Sequence, residues 1–292
     1  MKKLLLCLLL LCLIAAEAAP TLCATCGRKA SRFFSFGRKW YCSPGCVPPE
    51  KKCRLCGSLL TGEYMTFVSA QGGRRVNFCV SCAHRERCIS CKLPADKGIR
   101  NASGGLICDF CRKQIITPAE AAQIMRKLRK ELAERFGFDP KHPISLKMTD
   151  RANIAKFSGH AGAVGVTKVE TQKFIRPRGA ARVASVKLKT AIYIADDLSL
   201  VEGTAVLAHE LTHDFLFRTM GVGTDKTITE GICEAVAGDW LLRHGHRAAL
   251  GLRQANPDPV YGTGFRTIFP QLRQYGFKGM LERNKGSFKP LL

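Results

Sequence analysis

Two histidines and two glutamates in the second half of the chain have the types and spacing for chemistry. Residues 208–213 read Ala-His-Glu-Leu-Thr-His, which places His209 and His213 four apart with Glu210 between them. On a helix that spacing turns both imidazoles to one face, where they can share one ion. Glu210 then stands where a general base for an activated water is needed. An open catalytic zinc site takes three protein ligands and leaves one position for water. The following segment, Glu230-Gly-Ile-Cys-Glu234, offers Glu230 as the third ligand; the competing reading is a carboxylate that only caps its helix. Glu234, one turn on, can accept the second N–H of a ligand histidine, or can be an ordinary surface glutamate. Cys233 reads as a small buried apolar residue. A donor for the oxyanion of a tetrahedral intermediate could come from His244, His246, Tyr261, Arg266 or Tyr275. Tyr261 is preferred, because Gly262 and Gly264 let the backbone approach closely and a phenol is a neutral donor at pH 7. Its plainer reading is an aromatic packed under a loop. The chemistry implied is metal-assisted hydrolysis of a peptide bond.

A second set of metal-ligating residues lies upstream. Of the 15 cysteines, twelve form close pairs: Cys23/Cys26, Cys42/Cys46, Cys53/Cys56, Cys79/Cys82, Cys88/Cys91 and Cys108/Cys111. A two-residue gap lets both thiolates of a turn face one tetrahedral ion. Pairing consecutive knuckles predicts three structural zinc sites: Cys23, Cys26, Cys42 and Cys46; Cys53, Cys56, Cys79 and Cys82; Cys88, Cys91, Cys108 and Cys111. A disulfide framework is the alternative, and His84 is a substitute ligand or a surface residue. The last two sites resemble a LIM domain, with a cysteine at 79 where LIM domains usually carry histidine and a longer joint between the two sites. The resemblance implies a protein-binding role, since closed four-thiolate sites leave no open coordination position.

Elements must hold these residues in place. Thr117-Pro118-Ala119-Glu120 is a capping box that predicts a helix to about Arg135, stopped by Gly137, with Ile124, Leu128 and Leu132 as its apolar stripe. Ile144–Met148, Ala163–Val169 and Val183–Ala195 read as strands, with a basic loop over Lys173–Arg182. Ser199 and Glu202 form a second capping box ahead of the helix bearing His209, and Thr227 is a cap for the helix bearing Glu230. The expected class is α+β, with a small mixed sheet beside the metal helix. At the start, Lys2 and Lys3, an apolar run from Leu4 to Ile14 and Ala16-Glu17-Ala18 predict a cleaved signal peptide over 1–18. The expected domains are then 20–50, a four-cysteine module; 51–116, a LIM-like double module; and 117–292, the hydrolase domain. A secreted or periplasmic protein with no membrane span after processing is expected. The formal net charge of +23 is spread over both halves and reads as a solvated basic surface rather than a nucleic-acid site.

The motifs AHELTH, EGICE and YGTGFR, in that order behind LIM-like fingers, resemble the plant organ-size regulator peptidases, the DA-one group. The resemblance spans roughly residues 50–290. It implies a glutamate-ligand zincin fold, zinc ligands at His209, His213 and Glu230, and a catalytic glutamate at Glu210. The chain departs from that group in its export signal, its extra site at 23–46 and its lack of an evident ubiquitin-interacting helix. The reading is an exported zinc endopeptidase acting on protein or peptide substrates, with fingers that recruit or restrain them. The alternatives are a finger-based adaptor on an inactive peptidase scaffold and a basic nucleic-acid binder.

Overall fold

A computed structural model describes residues 22–29, 34–36, 38–70, 73–139, 141–178 and 181–291. The expected signal peptide, with Cys7 and Cys12, lies outside the described residues. The chain is mixed α+β with small sheets and cysteine-rich modules at its start. It forms two compact units: residues up to 66 with 76–83, and residues 67–75 with everything from 84 onward. The break falls inside the LIM-like stretch. The cluster of Cys88, Cys91, Cys108 and Cys111 therefore belongs to the same unit as the helices that follow.

In the first unit, a hairpin of Phe34–Phe36 and Lys39–Tyr41 carries buried Tyr41, which packs with Cys23 and Val47. Such a core is small, and an ion held by the cysteine clusters would add cross-links that a core of this size needs.

Among the described residues, the second unit has six longer helices and a three-stranded sheet, besides the short helix Asp109–Arg112 and two two-stranded sheets. Helix α1 (Pro118–Phe136) starts as the sequence predicts: Thr117 Oγ1 accepts from the Glu120 amide, and Glu120 Oε2 accepts from the Thr117 amide. It ends at Gly137, in the left-handed region at φ 77°. Its buried face is Ala121, Met125, Leu128, Leu132 and Phe136, with Ile124 at the margin. The stripe is thus rotated slightly from the one expected. Strand β1 (Ile144–Thr149) is followed by helix α2 (Arg151–Ser158), then strands β2 (Gly165–Arg178) and β3 (Ala181–Ala195). The order is β1-β3-β2; β1 runs parallel to β3 and β2 antiparallel to it. Strand β2 is an edge. The stretch expected as a basic loop, 173–182, is mostly strand, because the two arms keep pairing from Gly165↔Ile194 out to Arg178↔Ala181. Residues 179 and 180 lie outside the described residues.

Helix α3 (Leu200–Thr219) is N-capped by Ser199, whose Oγ accepts from the Glu202 amide. Helix α4 (Lys226–Arg243) is capped by Asp225 accepting from the Ile228 amide, not by Thr227, which lies within the first turn. Helix α5 (Arg247–Gln254) and helix α6 (Tyr261–Asn284), the latter broken at Gly276, complete the unit. Leu207 and Leu211 of α3, Ile192 and Ile194 of β3, Ile232 and Val236 of α4, and Phe265 and Ile268 of α6 meet in one core. No helix among the described residues is long and apolar enough to cross a membrane.

The cysteine module of this unit is fastened to the start of α3. Asn101 donates to Asp197 Oδ2 at 2.7 Å, and Arg151 Nε donates to the same oxygen at 2.7 Å. The Ile116 amide bonds to the Leu198 carbonyl, and Ile115 bridges Ser199, the cap residue of α3. Asp197 is almost fully buried, so these donors stand where water would otherwise solvate its carboxyl.

Candidate functional site

The twelve cysteines come together as three clusters of four, in the pairing the spacing predicts. Three of the knuckles share one fold. The amides of Gly27, Gly57 and Lys92 bond back to the carbonyls of Cys23, Cys53 and Cys88, each at 2.9 Å. Sulfurs stand 3.3, 3.6 and 3.8 Å apart among Cys26, Cys42 and Cys46, 3.8 Å apart for Cys56–Cys79 and 4.0 Å for Cys91–Cys108. Four sulfurs bound to one zinc at about 2.3 Å lie roughly 3.8 Å apart, whereas a disulfide is about 2.05 Å. The clusters therefore suit zinc or a similar ion. His84 is exposed and is no member of a cluster.

The second constellation lies on α3 and α4. His209 Nε2 is 3.1 Å from His213 Nε2 and 3.1 Å from Glu230 Oε2, and His213 Nε2 is 3.3 Å from the same oxygen. Ligand atoms bound tetrahedrally at about 2.0–2.1 Å stand roughly 3.3 Å apart, so this triangle has the size a zinc ion requires. Cys233, fully buried one turn on, also comes within 4.8 Å of both histidines. Burial and the charges of Glu230, Glu210 and Glu234 push its thiol well up, which favours the neutral form. Glu230 Oε2 already closes the triangle, so Glu230 is the better third donor.

The charge balance of the site also calls for a cation. Burial alone would lower the pKa of His209, but the hydrogen bond to Glu230 and the close negative charge of Glu234 outweigh it and raise the imidazole to about 10. Burial would raise Glu230; the two histidines overcome that and keep its carboxyl well below the usual range. Buried carboxylates and imidazoles in this arrangement are held together by shared positive charge, from a proton or a metal. Glu234 Oε1 sits 3.0 Å from His209 Nδ1, a charge contact in which the ring N–H points off the oxygen. Arg253 lies 3.0 Å from the other Glu234 oxygen. Glu234 is thus a buried contact of the histidine, not a surface residue.

Glu210 is 4 % exposed. Thr167 Oγ1, on β2, donates to its Oε2 at 2.7 Å and lies 2.9 Å from its backbone carbonyl. Strand and helix approach so closely here that a Cβ on Gly165 would fall 2.5 Å from Glu210 Oε1. A second close approach sets the far wall: a Cβ on Gly231 would meet the Gly264 carbonyl oxygen at 2.6 Å. Gly231, after Glu230, and Gly264, three residues after Tyr261, are therefore two halves of one helix contact. That contact carries Tyr261 over the site, with its ring centroid 6.2 Å from that of His209. Burial and four nearby carboxylates raise the phenol's pKa, so it stays a donor.

These residues line one cleft of about 760 Å³, together with Val164, Val166 and Val169 of the β2 wall. The other oxyanion candidates lie elsewhere. His244 and His246 stack on Trp240, Arg266 donates to the carbonyls of Gln254 and Asn256, and Tyr275 lies under the Arg283 guanidinium. Sequence reasoning missed Thr167, Gly165, Arg253 and His160. The His160 ring lies 5.5 Å from Tyr261, and its Nδ1 is buried without a partner. The Gly-rich run around it was the only signal.

Compared with protein-family models, curated proteins and solved structures, the chain gives no match.

Proposed function

We propose that this chain is an exported zinc-dependent endopeptidase, with its active centre in the cleft between β2, α3, α4 and the start of α6. The observation that carries the reading is the triangle of His209 Nε2, His213 Nε2 and Glu230 Oε2, beside a buried glutamate and open to a cleft. His209, His213 and Glu230 would hold the ion. A zinc ion in such a site supplies Lewis acidity, which lowers the pKa of a water and polarises a carbonyl. Glu210 takes the proton of the attacking water and delivers it to the leaving amine. Thr167 fixes the glutamate for that task through its 2.7 Å bond. Tyr261 donates to the developing oxyanion. Among the described residues β2 has no strand paired on its outer edge, which offers backbone groups to an extended peptide that adds as a further strand. The domain is then a zincin-like fold, and the two four-cysteine clusters of the first unit are left to recruit or restrain protein substrates. Loss of residues 1–18 on export places the enzyme in the periplasm or outside the cell.

The test is incubation of the zinc-loaded chain with a denatured protein mixture, with new N-termini read by mass spectrometry. New termini that vanish with a zinc chelator are expected. A zinc-loaded, folded chain that generates none removes the proposal. Within the same reading, Tyr261→Phe loses one oxyanion donor and should lower kcat by about 3 kcal/mol of transition-state stabilisation, roughly a hundredfold. KM and zinc content should be little changed. An unchanged kcat would take Tyr261 out of the mechanism and turn attention to His160.

A further inference from the structure

The sequence predicts two capping boxes, and only one is complete. Glu120 returns its carboxylate to the Thr117 amide. The Glu202 amide donates to Ser199 Oγ, but its carboxyl makes no bond back to Ser199, which is bridged to Ile115. The Glu202 side chain instead lines the cleft. It heads the row Glu202, Val206, His209, Glu210 and His213, which runs along one face of α3. Two turns separate it from His209, roughly 10 Å along the helix axis.

Among the described residues, none hydrogen-bonds or ion-pairs with this carboxyl, which keeps access to the cleft. The cations whose fields reach it are Arg151, Lys92 and Arg253. Each is held by another group. Arg151 Nε donates to Asp197 at 2.7 Å, Lys92 Nζ donates to the Ile89 carbonyl at 2.6 Å, and Arg253 lies 3.0 Å from Glu234. Burial pushes the Glu202 carboxyl above its usual range, and Asp197 adds to that. An acid partly withdrawn from water and left without a partner is stabilised by a cation entering the cleft, and a neutral group in the same place leaves it unpaired.

We infer that Glu202 accepts a lysine or arginine side chain from the first three residues after the bond presented to Glu210. The inference rests on the peptidase reading of the cleft. Strand β2 and helix α3 advance in the same sense. A Cβ on Gly165 would stand 2.7 Å from Val206 Cγ1, whereas Thr167 reaches the Glu210 carbonyl. A peptide adding antiparallel to β2, the stronger of the two pairings, therefore runs from the His213 end of α3 toward Glu202. The residues that follow the cleaved bond lie on the Glu202 side. Extended residues advance about 3.3 Å each, so the first three cover the separation and a long basic side chain from any of them can point to the acid.

The experiment presents the full-length, zinc-loaded chain with a library of short random peptides lacking cysteine and histidine, and reads the cleaved bonds by mass spectrometry. Lysine or arginine should stand in one of the three positions after the bond roughly tenfold more often than in the library, as a charged hydrogen bond implies. Glu202→Gln should bring that frequency down to the library's, and Glu202→Lys should replace it with an excess of aspartate and glutamate. A net charge of +23 repels basic peptides over the rest of the surface, so such an excess needs a local acid. The Glu210→Gln chain reads binding alone. The peptides it retains should show the same basic excess, lost when Glu202→Gln is added. Cleavage by the unaltered chain with no basic excess, or with one confined to residues before the bond, overturns the inference, needs no variant to fold, and leaves the peptidase reading standing. An excess that survives in Glu202→Gln overturns it as well. Basic peptides retained through Glu202, with no bond cut by the wild-type chain, defeat the peptidase reading and leave Glu202 as a site for cationic side chains.

Discussion

The Glu210→Gln chain should fold, keep its full zinc content and lose peptide hydrolysis by roughly two to four orders of magnitude, the usual contribution of a positioned general base. The substitution is nearly isosteric and removes no member of the ligand triangle. Thr167 can still donate to the side-chain oxygen of the amide, so the tie between β2 and α3 survives. What is lost is the carboxylate beside the triangle proposed to take a proton from water. Turnover within a few-fold of wild type would show that Glu210 is not the base, and loss of zinc would show that it acts as a ligand. Either outcome contradicts the mechanism, and the two are separated by measuring metal and rate on the same sample.

Cys111→Ser should have the largest effect on stability. Cys111 is fully buried, in a cluster whose module is fastened to the cap of α3 through Asn101, Asp197 and Ile115. A structural zinc contributes on the order of 10 kcal/mol to a small zinc module. A domain's whole stability is about 5–15 kcal/mol. Loss of this ion should loosen the buried Asp197–Arg151 pair and the N-terminal turns of α3. The His209–His213 turn lies on the same helix, so weaker retention of the active-site metal should follow. Backbone hydrogen exchange over residues 199–213 reads this directly, and it should accelerate strongly in Cys111→Ser. Cys56→Ser, in the first unit, should remove one zinc and leave those amides protected. Equal protection in wild type and Cys111→Ser would show that the module is dispensable to the helix.

Much of the site was legible because its residues are close in sequence and their geometry follows from helical periodicity. His209 and His213 must face together if residues 200–219 are helical, and Ser199 with an apolar run behind it makes them so. The knuckles are local for the same reason, and their pairing follows from chain order. The glycines around Tyr261 announced a close approach, although not that Gly231 was the other half of it. Other features depend on strand register or long-range packing. Thr167 reaches Glu210 across 43 positions, and Asn101 reaches Asp197 across 96. No local pattern encodes either contact. The basic stretch around Pro177 and Gly179 carries turn residues, so it reads as a loop; only the continued pairing of its flanks makes it a ribbon. Asp225 displaced Thr227 as the cap of α4 because both side chains suit the role, and local sequence does not choose between them.

On the proposed function, His209, His213 and Glu230 hold a zinc ion distinct from any held by the three cysteine clusters. Native mass spectrometry of the zinc-loaded chain tests it most directly, run on wild type, Glu230→Ala and Cys233→Ala. Four zinc ions are expected in wild type, three in Glu230→Ala and four in Cys233→Ala. Four ions in Glu230→Ala, or three in Cys233→Ala, would contradict the assignment.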